Sequence, residues 1–346
     1  MKSKRATASV DMAVVDVWQR EVGEFSNRIF ANRIAASQDL VLRLDISKRL
    51  ENDQDRVDSA RFNADGNLLV YGGLADKRIQ IWDWEAGIAK LTFESGHVYI
   101  NNFFVAKIMP NTDDRSLITC AADGQVRHAQ ISEPSVKTRM VAKYMAGAYD
   151  LAVEPGSPHI LYSGGEDGVV KQIDLRTVAA TDIFHCQPID DRRLHCRVIP
   201  LYHIAVDPRN SNLFAVAGLD KYTRLYDIRK SKRDGSTNFG RPIDHFHSPH
   251  LIGVTGLAFS DQSELLVSYS DNSIYLFTRD MGLGHDPVPS SLFSAHSEAS
   301  ENAIPQVYKG LANCERVKGV SFFGPKSDYA VIGSDYGRIF IWKKKT

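Results

Sequence analysis

"AVAGLDKYTRLYDIRK" (Ala215–Lys230) and "YSGGEDGVVKQIDLRT" (Tyr162–Thr177) follow one plan. Each has an apolar run, a turn that contains an Asp, a second apolar run on alternating positions, and then Asp-x-Arg. Just upstream, "IAVDPRNSNLFAVAG" (Ile204–Gly218) and "LAVEPGSPHILYSGG" (Leu151–Gly165) are apolar runs joined by Pro, Asn, Asp, Ser and Gly. Such a segment reads as a β-hairpin with turn chemistry in its middle. Four more stretches match it: "ARFNADGNLLVYGG" (Ala60–Gly73), "AKIMPNTDDRSLITCAA" (Ala106–Ala122), "LAFSDQSELLVSYS" (Leu257–Ser270) and "VSFFGPKSDYAVIGS" (Val320–Ser334).

A third strand follows each hairpin. A turn Asp precedes a mostly apolar residue by six positions: Asp76 before Trp82, Asp123 before Ala129, Asp167 before Ile173, Asp220 before Tyr226 and Asp271 before Phe277. In the sixth copy Trp342 is the closing residue and Asp335 sits one position early. The intervening residues alternate, as in "KRIQIW" and "KYTRLY", which reads as a strand buried on alternate positions. The closing residues are 47, 44, 53, 51 and 65 positions apart. A period in the forties with three or four strands per unit is the signature of propeller blades, and the longer spacings are inserted loops. The expected fold class is therefore all-β, a propeller over residues 39–346 behind an N-terminal extension, 1–38, that is partly helical or disordered. Val10 to Ile34 is the expected place for a helix.

These residues resemble the WD-repeat family. "IQIWDWEAG" carries the Trp-Asp pair at Trp82 and Asp83, and "ESGH" carries a Gly-His pair that ends at His97. The resemblance implies a WD40-type propeller, nominally seven-bladed, in which His, a strand hydroxyl, the turn Asp and Trp form a buried relay. No copy here has the full set. The first blade reads "LENDQDRV" and the sixth "KGLANCERV" where Gly-His is expected, so stability is expected to rest mainly on apolar packing. In such a ring the N-terminal segment supplies the outer strand of the last blade. "DLVLRLDISKRL" (Asp39–Leu50) alternates Leu40, Leu42, Leu44 and Ile46 and is expected to be that strand. With six copies visible, the ring is expected to be incomplete at the C-terminus; a six-bladed ring closed by the N-terminal strand is the alternative.

Lys plus Arg number 42, equal to Asp plus Glu, so the formal net charge is zero and nothing draws the chain toward nucleic acid or an anionic membrane. No apolar run reaches the roughly 18 residues of a membrane helix. Four cysteines, Cys120, Cys186, Cys196 and Cys314, form no paired framework, which suits a reducing compartment. "KSKR" near the N-terminus reads as a solvated basic end or a nuclear import signal, so the expected location is nuclear and/or cytoplasmic. His185, Cys186, His195 and Cys196 are adjacent pairs whose members point opposite ways in an extended chain, which disfavours zinc. Asp190 and Asp191 beside Arg192 and Arg193 read as a charged turn. The chain lacks G-x-S-x-G, Walker A and H-E-x-x-H motifs. No catalytic residue, cofactor site or metal site is expected. Residues 279–316, rich in Pro, Ser, Gly and Glu, are expected to be a mobile surface insertion. "RKSKRDGSTNFGRP" (Arg229–Pro242) reads as a solvated basic connection.

Asp-x-Arg closes only two units, at Asp174-Leu175-Arg176 and Asp227-Ile228-Arg229; the others close as "WDWE", "AQIS", "FTRD" and "WKKK". A feature that the fold required would recur in every unit. The bland reading is an Arg that forks onto a nearby carboxylate to brace a turn. The other rests on resemblance: the pattern looks like the box of WD-repeat substrate receptors of cullin-4 ubiquitin ligases, whose Arg contacts the ligase's propeller-shaped adaptor. The residue before Asp is Trp in that box; here it is Ile173 or Tyr226. Over residues 18–346 the chain further resembles the DDB1- and CUL4-associated factor 8 group, in a plant-type, C-terminally truncated form. This implies a non-catalytic adaptor subunit that docks a DDB1-type partner through Asp174, Arg176, Asp227 and Arg229 and presents an unnamed protein substrate. Asp76, Trp82, Asp83, His97, Asp123, Asp167, Asp220, Tyr226, Asp271 and Trp342 are then structural repeat positions. A WD-repeat scaffold with no ligase link, a propeller enzyme and a degenerate paralogue are the alternatives.

Overall fold

The computed structural model describes residues 12–50, 57–73, 78–98, 103–132, 135–186, 188, 198–231, 244–247, 253–278, 305–309, 319–334 and 337–345. The repeats form six antiparallel sheets, each built from strands consecutive in sequence. The first holds β1 (Val57–Phe62), β2 (Leu68–Gly73), β3 (Arg78–Asp83) and β4 (Ile88–Glu94); the second β5 (Phe103–Ile108), β6 (Ser116–Ala121), β7 (Gln125–Ser132) and β8 (Ser135–Lys143). The third holds β9 (Ala148–Val153), β10 (Ile160–Gly165), β11 (Val169–Asp174) and β12 (Ala179–His185); the fourth β13 (Leu201–Asp207), β14 (Asn210–Gly218), β15 (Tyr222–Asp227) and β16 (Asp244–His247). The fifth holds β17 (Val254–Phe259), β18 (Leu265–Tyr269), β19 (Ile274–Phe277) and β20 (Gln306–Tyr308); the sixth β21 (Val320–Phe323), β22 (Tyr329–Gly333) and β23 (Ile339–Lys343). The described residues thus form a WD40-type β-propeller with six blades.

The two-residue period of a strand sends alternate side chains to opposite neighbours. In β14, Phe214 and Val216 join Tyr162, Val170 and Phe184 of the third sheet, whereas Ala215 and Ala217 join Val254, Leu265 and Val267 of the fifth. Middle strands are thus buried on both faces, as in β6, while the outer strand β4 is mostly exposed. Five such cores link the six sheets in sequence order. Among the described residues no core joins the sixth sheet to the first.

Three expectations change. Asp39–Leu50 is not a strand: Gln38–Val41 is a short helix, α3, and Leu42, Leu44 and Ile46 are 75%, 58% and 68% exposed. Alternation alone does not make a strand, and no sheet edge pairs with this segment. Secondly, the stretch 279–316 is not all loop, because Gln306–Tyr308 is the fourth strand of the fifth sheet, with Tyr308 opposite Ile274. Tyr308 is 5% exposed and packs in the core with Val320, so a buried aromatic overrides the polar composition around it. Thirdly, the N-terminal helical region is two helices, α1 (Met12–Glu21) and α2 (Asn27–Ala36). Ser26 caps α2 by accepting from Ile29 N, and Arg33 reaches back to the buried Asp16 at 2.8–2.9 Å. Val14, Val17 and Trp18 make an exposed apolar stripe at helical spacing on α1.

Candidate functional site

Each sheet has an upper end, where its innermost strand begins and the turn between its second and third strands lies. The lower end carries the turn after the third strand. The turn aspartates sit at the upper end. Asp123, Asp167 and Asp271 each accept through Oδ1 from the backbone N–H two residues on, at 3.0, 3.2 and 2.9 Å. Gly124 and Gly168 follow two of them at φ +73°; at Gly124 a Cβ would lie 2.4 Å from Ala146 O, so only glycine fits. The second oxygen reaches the preceding sheet's exit loop: Val98 N donates to Asp123 Oδ2 at 2.9 Å and Met145 N to Asp167 Oδ2 at 3.0 Å. At Asp123 and Asp167 the turn Asp is therefore an inter-blade tie. Asp76 and Asp335 lie outside the described residues.

The relay takes a different form in each of three sheets. In the second, His97 Nδ1 donates to Asp123 at 2.9 Å and Nε2 accepts from the Thr119 hydroxyl at 2.9 Å. Burial lowers the pKa of His97 despite the carboxylate beside it. Burial also works against charged Asp123, yet the N–H groups of Val98 and Gln125, with His97, hold that carboxyl below its usual range. In the third sheet Tyr144 stands where His97 would and donates to Ser163 O at 2.8 Å. Tyr144-Met145 match His97-Val98, and Ser163 and Thr119 both lie four residues before their turn Asp. In the fourth, that position is Val216, with no hydroxyl to offer. There Arg224, 0% exposed, forks onto Asp220 through both terminal nitrogens. Burial opposes its charge, but Asp220 more than compensates and keeps the guanidinium protonated. Tyr144 and Arg224 were not singled out from sequence; their offsets from the turn Asp are the signal that could have found them.

The residues six positions on are core groups. Ala129, Ile173, Tyr226 and Phe277 are at most 3% exposed, and Trp82 is buried with Nε1 donating to Gln80 Oε1 at 2.8 Å. Trp342 packs beside Phe340, their rings stacked at 5.7 Å. Ile173 lies in the core between the second and third sheets, and Tyr226 stacks on Phe184 at 3.9 Å between the third and fourth.

One residue beyond these anchors, the chain turns at the lower end. Asp174 Oδ1 accepts Arg176 N at 2.9 Å and Nε at 3.1 Å, and Oδ2 accepts Nη2 at 2.8 Å. Asp227 and Arg229 repeat this at 2.9, 3.0 and 2.7 Å. The paired geometry holds Asp174 down to about 2, chiefly through the Arg176 side chain. Although ion-paired, the Arg176 and Arg229 side chains are 60% and 55% exposed. A bidentate fork uses Nε and one Nη2 hydrogen of five donors, and among the described residues the Nη1 groups meet no partner. The first sheet differs: Asp83 accepts Ala86 N at 2.9 Å and pairs with Lys90 at 3.1 Å. The N-terminal segment touches this same end, where Lys48 Nζ donates to Glu85 O at 2.6 Å and Lys343 Nζ to Gln38 Oε1 at 3.1 Å.

Of the cysteine–histidine set, His195 and Cys196 lie outside the described residues, as do Asp190 and Asp191. Cys186 is buried 3.9 Å from the Tyr226 hydroxyl, and burial raises its thiol pKa. Among the described residues no group of three His, Cys, Asp or Glu side chains is placed to hold a metal, and no helix is long and apolar enough to cross a membrane.

The WD domain, G-beta repeat family matches residues 46–83 and 240–278. The chain is 27% identical over 292 residues to Protein ALTERED SEED GERMINATION 2 of Arabidopsis thaliana, covering 72% of this chain and 38% of that protein. It is 28% identical over 274 residues to DDB1- and CUL4-associated factor 6 of Mus musculus, covering 76% and 31%. WD and tetratricopeptide repeats protein 1 of Mus musculus is 28% identical over 349 residues, covering 90% and 50%. The chain thus spans between 31% and 50% of the length of these curated relatives. Among solved structures, the β-propeller domain of Cps50 (Swd1) from Myceliophteria thermophila aligns with a TM-score of 0.63 over 88% of this chain and 89% of that one; at 14% identity this likeness concerns the fold alone.

Proposed function

We propose that this propeller is a non-catalytic substrate-receptor subunit of a cullin-4 RING ubiquitin ligase, docking a DDB1-type adaptor through Arg176 and Arg229. The observation that carries the reading is the pair of matching Asp–Arg forks, exposed at one end of neighbouring sheets and absent from the first. A guanidinium whose orientation is already fixed loses little entropy when it meets a partner's carboxylate or carbonyl. The chain's likeness to a DDB1- and CUL4-associated factor supports the partner's identity. The finer assignment to the factor 8 group rests on the sequence stretches quoted above. The exposed Val14–Trp18 stripe supports the reading too, because the segment following its helices is tied to the same lower end. The chain itself does no chemistry; its contribution is to hold a substrate near a charged ubiquitin carrier.

The second reading is a scaffold whose forks only brace their own turns, and the intrasheet ion pairs favour it. Co-purification with a DDB1-type adaptor separates the two. Arg176→Ala with Arg229→Ala is expected to weaken adaptor binding by roughly 30-fold or more, as hot-spot arginines do. Equal recovery of the adaptor by a folded double variant would leave only the scaffold.

A further inference from the structure

The first Asp–Arg fork has an arginine beside it that the matching position near the second fork does not supply. Arg139 stands in β8, the outer strand of the second sheet, directly opposite His128 of β7. Its Nη2 donates to Leu175 O at 3.0 Å and to His128 Nδ1 at 3.3 Å. Leu175 is the middle residue of Asp174-Leu175-Arg176, so this side chain crosses from the second sheet to the fork turn of the third. In β12 the matching position, opposite Gln172, is Thr181, which brings no charge toward the fourth sheet's turn.

These two hydrogen bonds orient Arg139 without neutralising it. The Leu175 carbonyl is uncharged. His128 is a neutral ring, because its Nε2 donates to Ser116 Oγ at 2.8 Å and leaves Nδ1 to accept. Arg139 is exposed and, among the described residues, makes no ion pair. Nη2 uses both of its hydrogens, so Nε and Nη1 keep three of a guanidinium's five donors for a partner. Arg176 lies close by. Its backbone N–H follows directly on the carbonyl that Arg139 holds, and that N–H and Arg176 Nε both donate to Asp174 Oδ1, at 2.9 and 3.1 Å. Chained through these contacts, Arg139 Nη2 and Arg176 Nε are at most about 11 Å apart. Lys137, two positions before Arg139 on the same face of β8, is exposed as well.

Asp174 already answers the charge of Arg176, whereas no carboxylate answers Arg139. The surplus charge beside the first fork is therefore positive. An exposed guanidinium with its plane already fixed attracts a carboxylate, whose two oxygens match its donors, and repels an ammonium. We propose that Arg139 and the first fork form one recognition site for a carboxylate, the Asp or Glu side chain of a partner polypeptide. The carboxylate sits on Arg139, and Arg176 Nη1 donates to an acceptor beside it. In taking that polypeptide to be the adaptor, the inference rests on the docking reading; its carboxylate chemistry rests on the geometry alone.

Two measurements on the full chain test it. The first needs no adaptor: NMR of the arginine Nε–H signals while an acetylated triglutamate amide, or its triglutamine counterpart, is added. The Arg139 signal is the one lost in Arg139→Lys. The glutamate peptide is expected to shift it with a millimolar dissociation constant, and the glutamine peptide to leave it in place. The proposal fails if both peptides shift it alike, or if neither does at about 10 mM. The second measures adaptor affinity at low and high salt. Arg139→Gln keeps a donor for Leu175 O and removes the charge. It is expected to bind about five- to tenfold more weakly at low salt and to lose part of the salt dependence, with the thermal midpoint unchanged. Arg139→Lys is expected to restore the salt dependence, and it keeps the charge arm valid should Arg139→Gln unfold. If Arg139→Gln binds the adaptor as wild type does while Arg176→Ala with Arg229→Ala loses it, this inference fails and the docking reading stands. If that double variant binds as wild type does and the glutamate peptide still shifts Arg139, the docking reading fails and the carboxylate site stands.

Discussion

At the lower end, the third and fourth sheets use one device twice: Asp174–Arg176 and Asp227–Arg229 agree in every hydrogen bond to within 0.1 Å. At the upper end the same two sheets share almost nothing. One closes its turn with Tyr144 on Ser163 and Met145 N on Asp167; the other uses a buried Arg224 on Asp220. The upper contacts are buried, and any solution that satisfies the polar groups serves the fold equally well. The lower forks are exposed, where a surface ion pair adds little to stability. Sameness where stability gains little, beside variety where it gains much, is what the docking role proposed for the forks would produce.

The largest effect that could break this contrast lies at Asp220. Replacing it by Ala leaves Arg224 charged and buried, with Nε already lacking a partner. A loss of about 3–5 kcal/mol is expected in denaturant unfolding, and a loss below about 1 kcal/mol would place the upper contacts with the surface ones.

Acid provides the next. His128 is 5% exposed; Nε2 donates to Ser116 Oγ at 2.8 Å and Nδ1 accepts from Arg139, so the ring is neutral. Burial and then Arg139 lower its pKa to about 4. The unfolded chain thus binds more protons between about pH 6.5 and 4, and stability falls as pH drops through that window. His97 is shifted the same way. A loss of about 2–3 kcal/mol from His128 is expected, and His128→Gln should flatten the slope of unfolding free energy against pH.

Smaller still is Tyr144→Phe, which removes two buried hydrogen bonds, to Ser163 O and Ser163 Oγ. About 1–2 kcal/mol is expected in the same unfolding measurement. Smallest is the lower end itself. Arg176→Ala with Arg229→Ala should leave the thermal midpoint where it is while adaptor recovery drops, and Trp18→Asp should behave likewise. A shift in midpoint as large as that of Tyr144→Phe would return the forks to the fold.

Much of this was legible in the chain. The six-residue step from Asp123, Asp167, Asp220 and Asp271 to a buried closing residue reports a turn tied at one end and a core anchor at the other. The two arginines were legible as well, because they depart from the repeat. Leu40–Ile46 was misread, since an alternating pattern becomes a strand only where an edge receives it. Gln306–Tyr308 was hidden by the polar residues around it, although Tyr308 alone fills the core position opposite Ile274.

The sequence by itself determined six hairpin-plus-strand copies and the anchors that face the cores, because these follow from local period and turn chemistry, while the fourth strand of each complete sheet came only with the structure. Only the tertiary structure decided which residues answer each turn Asp, and that Arg224 is buried while Arg176 and Arg229 are exposed. Those facts depend on side chains brought together from neighbouring sheets or from strands far apart in sequence. Three arginines of identical chemistry thus divide into one that braces the interior and two that face solvent, by position in the fold alone.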